Sequence, residues 1–352
     1  MAAEPESTAT ETSAPPDEGA PTAGPDPVRP KARGALVAGV LALVVGLALL
    51  VAALLLPLVV YPRVAVLPDD PGGPATSTAR GATLLVPDRT SPIGLKEVRG
   101  LQLTSTTVMK PGPRPDDGDS VVWEMTTTTT AAGIGPLGPP VAERVSIDRR
   151  TGETTNCCDD RIGTSLKESE SRPVQRQGYF AWPFDVQKRD YPFWDGTIGR
   201  TWPMAYVREE RRDGFDTYVF EAKVPRQKTG VAQLPGALFG RPEPVVQAES
   251  WYTRTTTSWI EPSTGAPIAS RDQRTQGYTF AGRTVTAFAA TMESGKMTDS
   301  RRDEVRTGAR WLPWARGRAA YVLVPLGLVF LAVGVVLLRR RAVARRISAA
   351  QS

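Results

Sequence analysis

The chain contains no histidine in 352 residues, a single asparagine (Asn156) and only two cysteines. Without histidine there can be no Ser-His-Asp or Cys-His nucleophile, no His-ligated zinc and no His-ligated haem. Cys157 and Cys158 are adjacent, and two thiolates alone do not complete a tetrahedral metal site. No metal site and no cofactor is therefore expected. A strong charge of one sign is also lacking: the net charge is +6, and arginines beside a hydrophobic run (Arg339, Arg340, Arg341, Arg345, Arg346) carry much of it. That placement reads as membrane topology, so no nucleic-acid partner is expected. Long amphipathic helical patterns are scarce. Arginine far outnumbers lysine, and Ala, Gly, Pro and Thr are abundant, a bias that a GC-rich bacterial coding sequence produces.

Two long runs without a charged side chain are present, at 34–61 and 319–338. At about 1.5 Å of rise per residue, each is long enough for a hydrocarbon layer of roughly 30 Å. The first is too long for the core of a cleaved secretory signal, so an uncleaved anchor is expected. Residues 1–33 are rich in Pro, Ala, Thr and Glu and nearly free of large apolar side chains, the composition of a disordered tail. Arg29, Lys31 and Arg33 before the first run, and the arginine cluster after the second, place both termini in the cytoplasm. Trp311, Trp314 and Tyr321 form an aromatic belt at the second run. The organisation expected is thus a tail (1–33), a transmembrane helix (34–61), a Pro- and Gly-rich connector (62–80), an extracytoplasmic domain (81–318), a second transmembrane helix (319–338) and a basic cytoplasmic tail (339–352). The protein belongs, on this reading, in the plasma membrane, crossing it twice.

Between the runs the pattern is mainly β. Segments 82–86, 101–110, 120–130, 141–148, 217–224, 249–260 and 284–291 are rich in Val, Thr, Tyr and Trp, and several alternate apolar with polar residues as half-buried strands do. An antiparallel, mainly β domain flanked by the two membrane helices is expected. One motif recurs: Ile147-Asp148-Arg149-Arg150-Thr151-Gly152 and Ile260-Glu261-Pro262-Ser263-Thr264-Gly265 share I-[DE]-x-x-T-G, and a Gln-Gly-Tyr follows each, at 177–179 and 276–278. Two ordinary hairpin turns would produce this, and so would two related halves of one domain.

In an oxidising exterior Cys157 and Cys158 are expected to pair, although consecutive Cα atoms, about 3.8 Å apart, lie below the usual disulfide range. Such a bond serves either as a loop staple or as a redox switch. The stretch 179–202 concentrates aromatic side chains. Trp182, Phe184, Tyr191 and Trp194 are candidates to line a lipid or glycan pocket, beside the plainer reading that they form the core. Asp185, Asp190 and Asp195 could supply paired carboxylates for glycoside chemistry, but their spacing does not fix the separation such a pair needs.

The two-anchor layout, the strand leading to Asp148-x-x-Thr151-Gly152-Glu153, the adjacent Cys157-Cys158, and Trp182-Pro183-Phe184-Asp185-Val186 followed by Asp190-Tyr191-Pro192-Phe193-Trp194-Asp195 together resemble the actinobacterial porin PorA-like family. That family was first catalogued as a domain of unknown function. The resemblance covers nearly everything from Gly34 to the second run and implies a cell-envelope protein; the family's name implies a porin. The strands carry too many Arg, Asp and Thr residues to face lipid, so a pore would require several chains. The expected function is non-enzymatic: a two-span envelope protein whose β-rich domain binds or transfers a lipid, glycan or envelope partner. An oligomeric channel is the alternative, and an envelope hydrolase the second.

Overall fold

The computed structural model describes residues 32–350. Most of the tail read at 1–33, and the end of the one read at 339–352, lie outside the described residues. Helix α1 (Ala32–Leu55) continues through a π-helical turn, Leu56–Val60, into α2 (Tyr61–Val64). Pro57 has no N–H to donate to the preceding turn, which is a local reason for the helix to widen there. Near the other end, α3 (Asp299–Pro313) passes through a second π-helical turn, Trp314–Arg318, before α4 (Ala320–Ala350). The segments Leu36–Val64 and Ala320–Ile347, of 29 and 28 residues, are long and apolar enough to cross a membrane.

Two packing units make up the chain: the helix segments up to Ala48 and from Leu326, and everything from Leu49 to Pro325. In the first, a Cβ added at Gly46 would lie 2.8 Å from the Gly327 carbonyl oxygen, and one at Gly334 would lie 2.9 Å from that of Gly39. Gly39 and Gly46 are seven residues apart, as are Gly327 and Gly334. The absence of side chains at Gly46 and Gly334 lets two antiparallel backbones approach closely, the usual way apolar helices associate where no hydrophobic driving force separates lipid from protein.

The second unit is built on one antiparallel sheet. Its strands are β1 (Ala75–Pro87), β2 (Leu95–Pro111), β3 (Ser120–Ala131), β4 (Gly135–Pro136), β5 (Val141–Asp148), β6 (Arg161–Gly163), β7 (Ser171–Pro173), β8 (Tyr191–Asp195), β9 (Arg200–Arg212), β10 (Phe215–Leu234), β11 (Val246–Ile260), β12 (Pro267–Phe280) and β13 (Arg283–Ser294). The order is β7-β6-β5-β3-β2-β1-β13-β12-β11-β10-β9-β8, with β4 on β3. Apart from β4 this is an unbroken meander in which the first and last strands pair, Ser77 opposite Ser294 and Leu84 opposite Phe288. Only β7 and β8 are left as edges. Both are short, which limits the exposed ladder that could recruit another chain. Tyr179 links the region between them, bridging Glu153 on one side and Phe193 of β8 on the other.

The seven strand segments read from sequence fall within β1, β2, β3, β5, β10, β11 and β13, and the fold class is as expected. β1 starts at Ala75, inside the stretch read as connector, because Ala75 to Ala79 pair with β2. The sequence pattern does not mark strands β4, β6, β7, β8, β9 and β12 or helix α3. The α3 signal is sparse: Thr298 caps it by accepting the Arg301 N–H, and Val305 and Leu312 are buried, but Arg301, Arg302, Arg306 and Arg310 obscure that stripe. Val305 packs with Phe215, Ala266 and Ile268.

The recurrent motif is a recurrent structure. Asp148 accepts hydrogen bonds from the N–H groups of Arg150 and Thr151 and from the Thr151 hydroxyl. Glu261 accepts the same three from Ser263, Thr264 and the Thr264 hydroxyl. The Gly152 and Gly265 N–H groups then donate to the carbonyls of Asp148 and Glu261, at 3.0 and 2.9 Å. Both turns grip one segment. Phe180 and Ala181 donate to the Gly152 carbonyl, while Asp185 and Val186 donate to those of Ser263 and Pro262.

Candidate functional site

That gripped segment delivers the aromatic side chains to the core. Trp182 lies 4.5 Å from the Phe220 ring, 4.7 Å from Phe193 and 5.2 Å from Tyr191, centroid to centroid. Tyr191 is 1% exposed and its hydroxyl accepts the Gln187 N–H. Phe184 packs against Val121, Val145 and Ile147. Trp194 lines a cleft of about 220 Å3 between the sheet's two edges, with Ile162, Arg172, Pro173 and Val174 on its other wall.

The aspartates are dispersed by role. Asp195 is buried and accepts from the N–H groups of Thr197 and Ile198, from the Tyr252 hydroxyl at 3.0 Å and from Arg254 at 3.2 Å. Asp185 pairs with Arg316 of the turn before α4 and takes the Gln187 amide. Burial pushes the Asp185 carboxyl up, against the pull of Arg316. Asp190 is exposed. A carboxyl raised in the folded state takes up its proton there before the unfolded chain does, so Asp185 is not a source of acid lability. Because Arg316 is half exposed, Asp185→Asn is expected to change unfolding free energy by about 1 kcal/mol or less in a denaturant titration.

A charged network that strand patterns conceal occupies the face of the sheet shared with Tyr252. On β11 and β12, Arg254 stands directly opposite Arg274. Like charges so placed repel. Asp272, one pair along, resolves this by accepting from Arg254 Nε at 2.6 Å, from Arg274 Nη2 at 2.7 Å and from the Thr256 hydroxyl at 3.1 Å. Burial is the largest single influence on the Asp272 carboxyl and pushes it up, but Arg274 and Arg254 together hold it below its ordinary value. Farther round the sheet, Thr107 and Thr127 share a hydrogen bond of 2.8 Å, and Thr129 donates to Ser105 at 3.1 Å.

A second network lies under the cysteines. Cys157 and Cys158 form a disulfide. The Cys157 N–H donates to the Ser146 hydroxyl, which donates to Asp160 at 2.6 Å. Asp160 meets the guanidinium of Arg176, a side chain with no exposed surface that also donates to Glu143 and to the Arg144 carbonyl. Asn156 clasps the Arg176 backbone through both amide atoms at 2.8 Å. Burial pushes the Asp160 carboxyl up despite Ser146 and Arg176. The first network is marked in the sequence only by charges in mid-strand; Asp160 and Arg176 of the second lie outside the strands and carry no such mark.

The opposite face of β10 to β13 is charged as well. Lys223 pairs with Glu221, Lys228 with Glu249 and Arg271 with Glu293. Trp251 and Trp259 there are covered by the guanidiniums of Arg226 and Arg212, each 4.6 Å from the ring. This sheet surface has no apolar band of the kind a lipid-embedded barrel presents.

The profile of the Porin PorA family matches residues 38–336, from the first apolar helix to the second. The chain belongs to that family. A relative described as "Porin PorA", from Corynebacterium amycolatum, is 21% identical over 337 aligned residues covering 78% of this chain and 87% of the relative. The resemblance carried by the Trp182 to Asp195 motif and the paired cysteines thus identified the family. The matched region holds the whole sheet, both charged networks and the disulfide.

Proposed function

We propose that the chain is a subunit of a porin-like channel of the cell envelope. The observation that carries this reading is the family match, which spans residues 38–336, from within the first apolar helix to within the second. It favours the channel over lipid or glycan binding as the main role. Both termini are cytoplasmic and the β unit is extracytoplasmic, in keeping with the arginines beyond Leu338. The helices anchor the assembly, since they are too apolar to line water. The sheet supplies the polar wall, its hydroxyl pairs offering partners to water at little desolvation cost. No catalytic role is assigned: Asp185 and Asp195 are each committed to separate structural partners.

Proteoliposomes loaded with a small ionic dye test the reading. Vesicles carrying the full chain are expected to release it at least ten times faster than protein-free vesicles. Equal rates, with the protein shown to be folded and inserted, would count against conduction.

Trp194 keeps a binding role in view as a second reading, because it lines a cleft. Trp194→Ala would abolish co-purification of a bound lipid or glycan while leaving the core intact.

A further inference from the structure

Besides the cleft at Trp194, a cavity of about 200 Å3 opens where β12 begins and β13 ends, lined by Arg212, Asp213, Phe215, Ile268, Lys296, Met297 and Arg302. Its charge is unbalanced. Acidic residues of α3 are already engaged, Asp303 with Arg306 and Glu304 with Arg301. Asp299 lies in the first turn and does not line the cavity. Lys296 and Arg302 have no carboxylate partner among the described residues. Asp213 reaches only Arg212, at 3.9 Å, and that guanidinium also lies over Trp259. The Nε of Arg302 is buried without an acceptor. Leaving a buried donor unpaired costs about 1–3 kcal/mol, more when it is charged, so the chain itself leaves this guanidinium without full compensation.

We propose that this cavity is an anion site, and that its ligand is a phosphate group held by Lys296, Arg302 and Arg212. Three cationic residues line a space smaller than the roughly 300 Å3 at which pockets for drug-sized ligands begin, which suits one tetrahedral anion and little of what it is attached to. Guanidinium and ammonium donors make shorter, stronger hydrogen bonds to phosphate oxygens than neutral donors do. Phe215, Ile268 and Met297 give the cavity an apolar side against which the carbon of a phosphate ester could rest. The phosphate belongs either to a phospholipid headgroup or to a free ion, and the site does not depend on conduction.

Two probes separate the sources. Inorganic phosphate is titrated calorimetrically into the detergent-solubilised full chain, and native mass spectrometry follows lipid retained by the chain from nanodiscs of equal phosphatidylglycerol and phosphatidylcholine. Saturable phosphate binding, or a phosphatidylglycerol adduct in excess, is expected, weakened tenfold or more by Lys296→Gln and by Arg302→Gln and unchanged by Arg301→Gln. Binding of phosphate without lipid preference assigns the free ion; lipid preference assigns the headgroup. The proposal is overturned if neither probe binds, or if Arg301→Gln weakens binding as much as Arg302→Gln. Lys296 is exposed, so its variant decides the matter should Arg302→Gln fail to fold.

Discussion

Asp272→Asn is expected to lower the unfolding free energy by about 3 kcal/mol, the low end of what removing one partner from a buried ion pair costs. The low end applies because the Arg254 and Arg274 side chains keep 26% and 35% of their exposure. The loss comes less from the missing attraction than from two guanidiniums left face to face across β11 and β12. Replacing Arg274 by Met in the same background should therefore recover part of it. Wild-type stability should follow the same carboxylate. Its folded-state pKa is depressed, so its contribution is complete above the ordinary carboxylate value and disappears as pH falls through the lower one. Urea titrations at neutral pH and in acid check both statements: the variant should have lost most of the acid-dependent component attributable to this residue. A variant as stable as the parent would mean that the two arginines find other partners.

Gly152→Ala and Gly265→Ala should be comparably damaging. At each position φ is positive, +77° and +70°, and an added Cβ would stand 2.3 Å from a carbonyl oxygen, that of Ala181 or of Pro183. The left-handed backbone alone costs alanine about 1–2 kcal/mol. Forcing the segment away adds an overpacking penalty of about 1–3 kcal/mol. Each variant is thus expected to lose about 2–5 kcal/mol by denaturant titration. Gly138→Ala is the comparison: φ is +80° there and nothing lies within 4 Å, so only the backbone cost should be seen. Because both turns grip the same short segment, the double variant should lose less than the sum of the single ones. Strict additivity would show that the two turns act independently.

These turns also show what the sequence reveals and what it hides. Their shared I-[DE]-x-x-T-G spacing was visible, since an acidic side chain, a hydroxyl and a glycine at fixed offsets define the hydrogen bonds of the turn locally. That they close on one segment was not visible, because residues 180–186 lie far along the chain from Gly265. Strand β11 could be read from Glu249 to Ile260 because threonines and aromatics dominate it. Its neighbour β12 carries Arg271, Asp272 and Arg274 within four residues, and a period of two cannot be recognised when both faces hold charges. The pairing of β1 with β13 leaves no trace in either strand. Of the candidate pocket residues, Trp182 and Tyr191 stand in the aromatic core, where the density of aromatics in a domain poor in Leu and Ile also pointed. The cavity at Lys296 and Arg302 brings together β9, β10, β12, β13 and α3, and no single stretch of sequence announces it.

Single-channel recording with the purified full-length chain in planar lipid bilayers bears most directly on the central claim. Discrete, reproducible current steps are predicted, growing in number with the amount of protein added. Protein that is folded and inserted but leaves the current indistinguishable from that of a bare bilayer, at every concentration and voltage applied, would contradict it.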